Sequence, residues 1–193
     1  MLVVDAPLPV RPGPAALGKQ VADVDGNVEE RGGTISVFNG AVPVVRVLDS
    51  PKDESEFVGR WLAERAAEGI GPGEIGVFVR SPVELPRARA AVEAAGLAMA
   101  VLNDDVRTER DRVSVGVMHL SKGLEFRAVA VMACDDEVLP LQARITAVSD
   151  EGDLEEVYDT ERHLLYVACT RARDYLLVTG VKPASEFLED LQG

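Results

Sequence analysis

The sequence predicts an α/β domain built around a mainly parallel sheet. Short apolar runs alternate with helical patterns of roughly 10–15 residues, which is the order that βαβ units produce. One run, Ile75–Val79, is apolar at nearly every position, as in a strand that helices cover on both faces. The sequence shows no internal repeat of about 20–50 residues, so a solenoid or a propeller is excluded.

The first residues predict little regular structure. Residues 1–33 are rich in Pro, Gly and charge without a sustained period, and they indicate a loosely ordered arm. Two short β-branched runs, Thr34–Phe38 and Pro43–Leu48, flank Asn39-Gly40, a pair typical of a hairpin turn. A single domain is therefore expected over residues 34–193.

Two helices and two strands follow the hairpin, Ile75–Val79 being the first of the strands. Asp53–Glu68 carries apolar residues at the spacing of an amphipathic helix, which Gly71-Pro72-Gly73 ends. Pro86–Ala95 is the second predicted helix, and Leu97–Leu102 is a strand.

The second half repeats this order. Its predicted strands are Val113–Met118, Ala128–Ala133 and Tyr175–Thr179, and its predicted helices are Glu161–Arg173 and Ser185–Leu191, with Ser185 as N-cap. Ligands of such sheets bind beyond the carboxyl ends of the strands. The segments after Val79, Met118 and Ala133 are therefore the expected places for a site.

Composition excludes several classes of protein. The 193 residues suffice for one well-buried domain or two small ones. No apolar run reaches the roughly 20 residues of a membrane span, and two cysteines without zinc spacing favour a cytoplasmic protein. The net charge of −13, from 20 Lys and Arg against 33 Asp and Glu, argues by itself against a free-standing nucleic-acid binder.

Two segments imitate phosphate and magnesium sites. Gly13–Gln20 has the GxxxxGK skeleton of a P-loop, but Pro14 removes a backbone N–H and Gln20 replaces the magnesium-binding hydroxyl. The strand Ala128–Ala133 leads into Asp135-Asp136-Glu137, which imitates an acidic magnesium pair. Without a credible P-loop, a solvated acidic loop is the favoured interpretation.

The segment after the strand Val113–Met118 carries groups suited to a nucleotide. His119, Ser121 and Lys122 offer hydrogen-bond donors to phosphates, and Gly123 leaves the backbone open. Glu125 suits a sugar hydroxyl. Ordinary surface side chains after a strand are the alternative interpretation.

The predicted helix Glu161–Arg173 carries the second candidate group. Leu164 and Arg171 are two helical turns apart, so Arg171 lies on the same helix edge as a buried leucine and can point into a cleft. An arginine there can stabilise charge on a transferring phosphoryl group. The alternative is a surface arginine paired with an acid, which is the interpretation that suits Arg162 and Arg173.

Together these segments resemble the superfamily 1 helicases of the UvrD, Rep and PcrA group. His119–Phe126 resembles their motif V, usually TxHxxKGLEF, and Glu161–Arg173 is similar to motif VI, usually ERRLLYVALTRA. Glu137–Pro140 matches a short family loop that ends in proline, and Ile75–Ser81 looks like the strand whose arginine meets single-stranded DNA. The resemblance covers residues 75–180.

The resemblance implies a RecA-like, P-loop-NTPase-type domain with three α/β/α layers, the second motor domain called 2A, which lacks its own P-loop. The distance from Ser81 to Val113 leaves no room for the family's 2B insertion. Val117 stands where the family usually has threonine, and Pro82 where a polar residue often follows the arginine.

The resemblance also assigns residues to two ligands. ATP, with Mg²⁺, would be held mainly by another motor domain, and the residues implied to touch it are the arginine finger Arg171, the ribose-binding Glu125, Gly123 and Lys122. The residues implied to contact single-stranded DNA are His119, Ser121 and Arg80. The implied protein is a bacterial, cytoplasmic, ATP-dependent helicase of 3′–5′ polarity. Its required partner is an upstream motor domain with a P-loop and a DExx box, and the chain alone is expected to be inactive.

Two alternatives come from other classes. A helicase-derived interaction module would use the acidic stretch between Asp150 and Glu161 to bind a basic protein. A complete small P-loop NTPase would depend on Gly13–Gln20. The presence of His119, Lys122, Glu125 and Arg171 together favours the motor domain over both.

Overall fold

The computed structural model describes residues 42–148 and 151–191, and the backbone of residues 21–22 and 28–29. The chain divides into two units, Met1–Val37 and Phe38–Gly193. In the first unit β1 (Val21–Ala22) pairs antiparallel with β2 (Val28–Glu29). The rest of the predicted arm and the predicted strand Thr34–Phe38 lie outside the described residues.

The second unit alternates strands and helices. Its strands are β3 (Val44–Leu48), β4 (Ile75–Val79), β5 (Met99–Val101), β6 (Val113–Val117), β7 (Phe126–Val131) and β8 (Ala172–Val181). Its α-helices are α1 (Pro51–Ala67), α2 (Leu85–Ala94), α3 (Gln142–Ile145) and α4 (Glu151–Cys169). Short 3₁₀ helices span Pro72–Glu74, Pro82–Glu84, Met118–Ser121 and Glu186–Leu191.

The six strands form one sheet in the order β3-β8-β7-β4-β6-β5, and every neighbouring pair is parallel. Successive side chains of β4 enter different cores, since Val77 packs with helices α1 and α2 while Phe78 packs on the side of α4. Helices therefore cover both faces. The predicted three-layer α/β class is confirmed.

Helix α1 begins at Pro51 rather than at the predicted Asp53. The side chain of Ser50 accepts a hydrogen bond from the Asp53 amide at 3.2 Å, and Pro51 occupies a position where its missing N–H costs nothing. Helix α2 then packs closely on α1, because Gly59 has no side chain. A Cβ atom there would lie 2.8 Å from the Cβ of Ala94.

Helix α4 differs most from its prediction. It starts at Glu151 and ends at Cys169, whereas the sequence predicted Glu161–Arg173. The acidic residues of its first turns favour a helix start, which extends the helix to 19 residues, about 28 Å. Its end comes early because Ala172 and the residues after it pair with β7 as strand β8. Short helix α3 was not predicted at all.

A buried ionic network joins both helices of one layer to the carboxyl end of the sheet. Glu54 of α1 is fully buried, and its Oε1 accepts hydrogen bonds from the Ala133 amide at 3.0 Å and from Thr179 Oγ1 at 2.7 Å. Its Oε2 accepts two hydrogen bonds from Arg87 of α2, which also donates to Asp135 at 2.5 Å. Asp135 is therefore bound within the fold rather than free in a solvated loop.

Both carboxylates stabilise the charged arginine. Burial by itself lowers the pKa of Arg87, but the hydrogen bond and charge of Asp135 and the charge of Glu54 raise it above its ordinary value. Removal of Glu54 would leave Arg87 with fewer acceptors and would leave the buried Ala133 amide and Thr179 hydroxyl without theirs.

We expect Glu54→Ala to lower the free energy of unfolding by about 3–5 kcal/mol, because it breaks a buried pair and removes the acceptor for two further donors. Urea denaturation measures the change. The control is Glu56→Ala on the same helix, which removes an exposed pair with Lys52 and should cost less than about 1 kcal/mol. Equal losses in both variants would contradict the role of the network.

Candidate functional site

The connection from β6 to β7 carries most of the predicted site residues. The two strands are parallel with β4 between them, so the connection must return from the carboxyl end of the sheet to its amino end. The 3₁₀ turn Met118–Ser121 packs against α4, and Lys122–Glu125 completes the crossover. His119 thus lies at the carboxyl end and Glu125 at the amino end.

Arg171 lies in the turn between α4 and β8, at the amino end of the sheet. Its Nε donates to the carbonyl of Val167 at 3.0 Å, and its Nη1 donates to the carbonyl of Leu124 at 3.4 Å. Its own carbonyl accepts a hydrogen bond from the Phe126 amide at 2.9 Å. The two segments singled out in the sequence therefore meet at this residue.

This position corrects two expectations. Arg171 is not on a helix edge, because α4 ends at Cys169, and the crossover rather than the helix orients its side chain. Arg171 and Glu125 also precede strands instead of following them. The candidate site is consequently divided between the two ends of the sheet, and only His119, Ser121 and Arg80 lie where strands end.

The crossover exposes the groups that were predicted to meet a ligand. Gly123 has a φ of +82°, a left-handed conformation that glycine adopts without strain. Lys122 and Glu125 beside it are exposed, as is His119. Within the described residues, none of these three side chains makes a hydrogen bond or a salt bridge.

An ion cluster lies beside them at the amino end of the sheet. Asp174 accepts hydrogen bonds from Arg127 Nε at 2.7 Å and from Arg173 Nε at 2.9 Å. These hydrogen bonds, that of Arg173 first, lower the pKa of Asp174 to about 2. Arg173 thus forms a salt bridge with Asp174, and Arg162 forms one with Asp190 at 2.9 Å. Both arginines are paired with an acid, as predicted.

Arg80 occupies a buried position at the carboxyl end of β4. Its Nε and Nη2 donate to the two carboxylate oxygens of Glu161 at 2.5 and 2.6 Å, and the residue is only 9% exposed. Ser121 is also buried, and its hydroxyl donates to the Met118 carbonyl at 2.7 Å. The DNA contacts implied for these two residues remain predictions.

Glu161 is the buried partner of Arg80, and the sequence did not predict this contact. It is fully buried and also accepts hydrogen bonds from the Leu141 amide at 3.2 Å and Arg144 Nη1 at 3.0 Å. Burial raises the pKa of Glu161, but the hydrogen bonds and charge of Arg80 outweigh it and lower the pKa below its usual range. One sequence signal was available, since Glu161 lies at helical spacing from the apolar residues Leu165 and Ala168.

The donor set fits one side of a nucleotide. Arg171 and Lys122 are cations suited to phosphate, the Gly123 backbone is open, and Glu125 can accept from a hydroxyl. Among residues 42–148 and 151–191, no group of three or more His, Cys, Asp or Glu side chains could hold a metal ion.

We expect the stabilising effect of Asp174 to disappear in acid. Its pKa is about 2 in the folded protein against about 3.9 in an unfolded chain, so its contribution is present above about pH 4 and is lost as the pH falls through about 2. The difference in unfolding free energy between the wild type and Asp174→Asn should shrink over that range in urea denaturation. Asp104→Asn corrects for loss of an exposed carboxyl, and a difference that stays constant with pH would contradict the assignment.

The geometry gives the fold class of the protein. A six-stranded, all-parallel sheet between two helical layers agrees with the predicted RecA-like α/β domain. The C-terminal domain of a possible DNA helicase from Lactobacillus plantarum has a similar fold, with a TM-score of 0.56 and 24% identity over 77% of this chain and 80% of that one. Within the described residues, no helix is long and apolar enough to cross a membrane.

Sequence comparison finds similar proteins of one kind. Residues 91–182 match the model of the UvrD-like helicase C-terminal domain. Over 80 residues it is 39% identical to the ATP-dependent DNA helicase Rep of Buchnera aphidicola, covering 41% of this chain and 11% of that protein. It is 28% identical over 147 residues to DNA helicase II of Rickettsia typhi, covering 75% of this chain and 21% of that protein.

A third relative is likewise matched over a small share of its length. The ATP-dependent DNA helicase PcrA of Staphylococcus aureus is 40% identical over 76 residues, which are 39% of this chain and 10% of that protein. The chain thus spans about a tenth to a fifth of the length of these relatives.

Proposed function

We propose that this chain supplies the second motor domain of an ATP-dependent DNA helicase that works in the bacterial cytoplasm. The hydrogen bond from Arg171 to the Leu124 carbonyl is the observation that carries the proposal. It joins the turn after α4 to a crossover whose other end presents His119. One continuous segment therefore connects a nucleotide-facing end of the sheet with a DNA-facing end.

Arg171 acts as the arginine finger at the amino end. Three of its N–H groups donate to Val167, Leu124 and Thr170, which orients the guanidinium and leaves two of its five N–H groups for a phosphate oxygen. Its positive charge stabilises the charge that develops as the phosphoryl group is transferred. The triphosphate and Mg²⁺ belong to a P-loop and a DExx box on another motor domain.

Three residues of the crossover complete the nucleotide side. Glu125 accepts a hydrogen bond from a ribose hydroxyl, and Lys122 donates toward the phosphates. Gly123 lets the backbone approach the nucleotide closely, because glycine has no side chain and adopts its left-handed conformation without strain.

At the carboxyl end His119 contacts the DNA strand. Ser121 closes the 3₁₀ turn that holds it, and Arg80 secures the end of β4 next to it. Movement of the nucleotide-side contacts is transmitted through Lys122–Glu125 to this turn. Repeated binding and hydrolysis then shift the grip on single-stranded DNA in the 3′–5′ direction.

We expect Arg171→Ala to lower DNA-stimulated ATP hydrolysis on the order of a thousandfold when the chain is joined to the N-terminal motor domain of a UvrD-like helicase. Binding of single-stranded DNA should change little, because the substitution is at the other end of the sheet. Phosphate release and fluorescence anisotropy measure the two properties. Arg173→Ala is the matched control and should retain hydrolysis, whereas turnover by Arg171→Ala would remove the finger role.

We expect the 193-residue chain alone to show no DNA-stimulated ATPase activity, because Pro14 and Gln20 spoil the P-loop skeleton of Gly13–Gln20. The same phosphate-release assay, with and without the N-terminal motor domain, tests this expectation. Robust turnover by the purified chain would contradict the division of labour between two motor domains.

A further inference from the structure

Arg144 shares the buried carboxylate of Glu161 with Arg80 but lies on its outer side. The side chain of Arg80 is 10% exposed and is bound through two nitrogens, whereas that of Arg144 is 39% exposed and donates only through Nη1. Within the described residues, Nε and Nη2 of Arg144 make no hydrogen bond. Glu161 therefore fixes one corner of the guanidinium and leaves the rest facing outward.

The cluster carries an excess positive charge. Arg80 and Glu161 neutralise each other through a bidentate pair, so the second guanidinium, that of Arg144, is uncompensated. No other carboxylate in the described part of the chain lies within salt-bridge distance of Arg144. In a chain with a net charge of −13, such an oriented and unneutralised arginine favours an anionic ligand.

Arg144 lies at the end of the sheet to which the proposed function assigns DNA. Arg80 directly follows β4, and β6, which leads to His119, is the neighbouring strand. Helix α4 packs against both the Met118–Ser121 turn and α3, which carries Arg144. Arg144 and His119 therefore belong to the same end of the sheet.

Three acidic residues of α4 lie on another side of the helix from Glu161. Glu155, Glu156 and Asp159 line a shallow groove with His163 on the exposed face of the helix. Asp159 and Glu161 are two residues apart, which is a rotation of about 200° around the helix. The surface that Arg144 occupies is thus separate from the acidic groove.

We propose that Arg144 binds a phosphate of single-stranded DNA and that Glu161 is the positioning residue that orients it. This inference rests on the proposed function, which assigns DNA to the carboxyl end of the sheet. Arg80 acts indirectly, because its bidentate pair keeps the Glu161 carboxylate in place. The planar guanidinium offers Nε and Nη2 as a fork that matches two phosphate oxygens.

The test measures binding of the 193-residue chain to a fluorescent oligothymidylate at several salt concentrations. Arg144→Gln should weaken binding roughly three- to tenfold and reduce the slope of log K against log salt by about 0.7, the value for one lost contact with a single strand. The matched control is Arg112→Gln, an exposed arginine before β6 that also pairs with one carboxylate, Glu109. It should change neither quantity.

Glu161→Gln tests the positioning role through the sign of its effect. Loss of a negative charge near DNA would by itself strengthen binding, whereas loss of the orientation of Arg144 weakens it. We expect weaker binding from a variant whose far-UV circular dichroism is that of the wild type. Arg144→Lys, which keeps the charge without the fork, should retain the salt slope with lower affinity.

The outcomes separate the two proposals. If His119→Ala weakens binding and Arg144→Gln leaves affinity and slope unchanged, the inference is overturned while the proposed function stands. If the wild type does not bind the oligothymidylate at the lowest salt, the inference is overturned, whereas the ATPase assay with the N-terminal motor domain decides the proposed function. Tighter binding by Glu161→Gln would remove the positioning role.

Discussion

Parallel pairing is the constraint on which the rest of this structure depends. Each strand of a parallel sheet must be followed by a connection that travels back along the length of the sheet. The connection from β6 to β7 makes that return in Met118–Glu125 with one short 3₁₀ turn, so it passes both ends of the sheet within a few residues. His119 and Arg171 are thereby linked although they lie at opposite ends.

Two buried carboxylates hold the carboxyl end of this sheet, one on each face. Glu54 binds Arg87 on the side of α1 and α2, and Glu161 binds Arg80 on the side of α4. Each carboxylate also accepts a hydrogen bond from a backbone amide of the loop that follows β7. Helices on both faces of the sheet are therefore bound to that loop. These bonds fix the position of the loop at the carboxyl end of the sheet.

Much of the fold could be predicted from the sequence, because its signals are local. The continuous apolar run Ile75–Val79 and the apolar periodicity of α1 and α2 each depend on residues a few positions apart. The pairs Arg80–Glu161 and Arg87–Glu54 could not be predicted, since the partners are distant in the chain and only packing brings them together. The end of α4 was misjudged for a related reason, because pairing with β7 draws Ala172 into a strand despite its helical spacing.

The sequence by itself determined the class of the domain and the residues proposed to meet a nucleotide and DNA. His119, Lys122, Glu125 and Arg171 were all identified from the two segments that carry them. Only the tertiary structure decided where these residues lie, because the parallel sheet places Glu125 and Arg171 before strands, at its amino end, and His119 at its carboxyl end. It also decided which arginines face outward, since the free energy of a charged group depends on its burial and its partners, and these are properties of the folded chain.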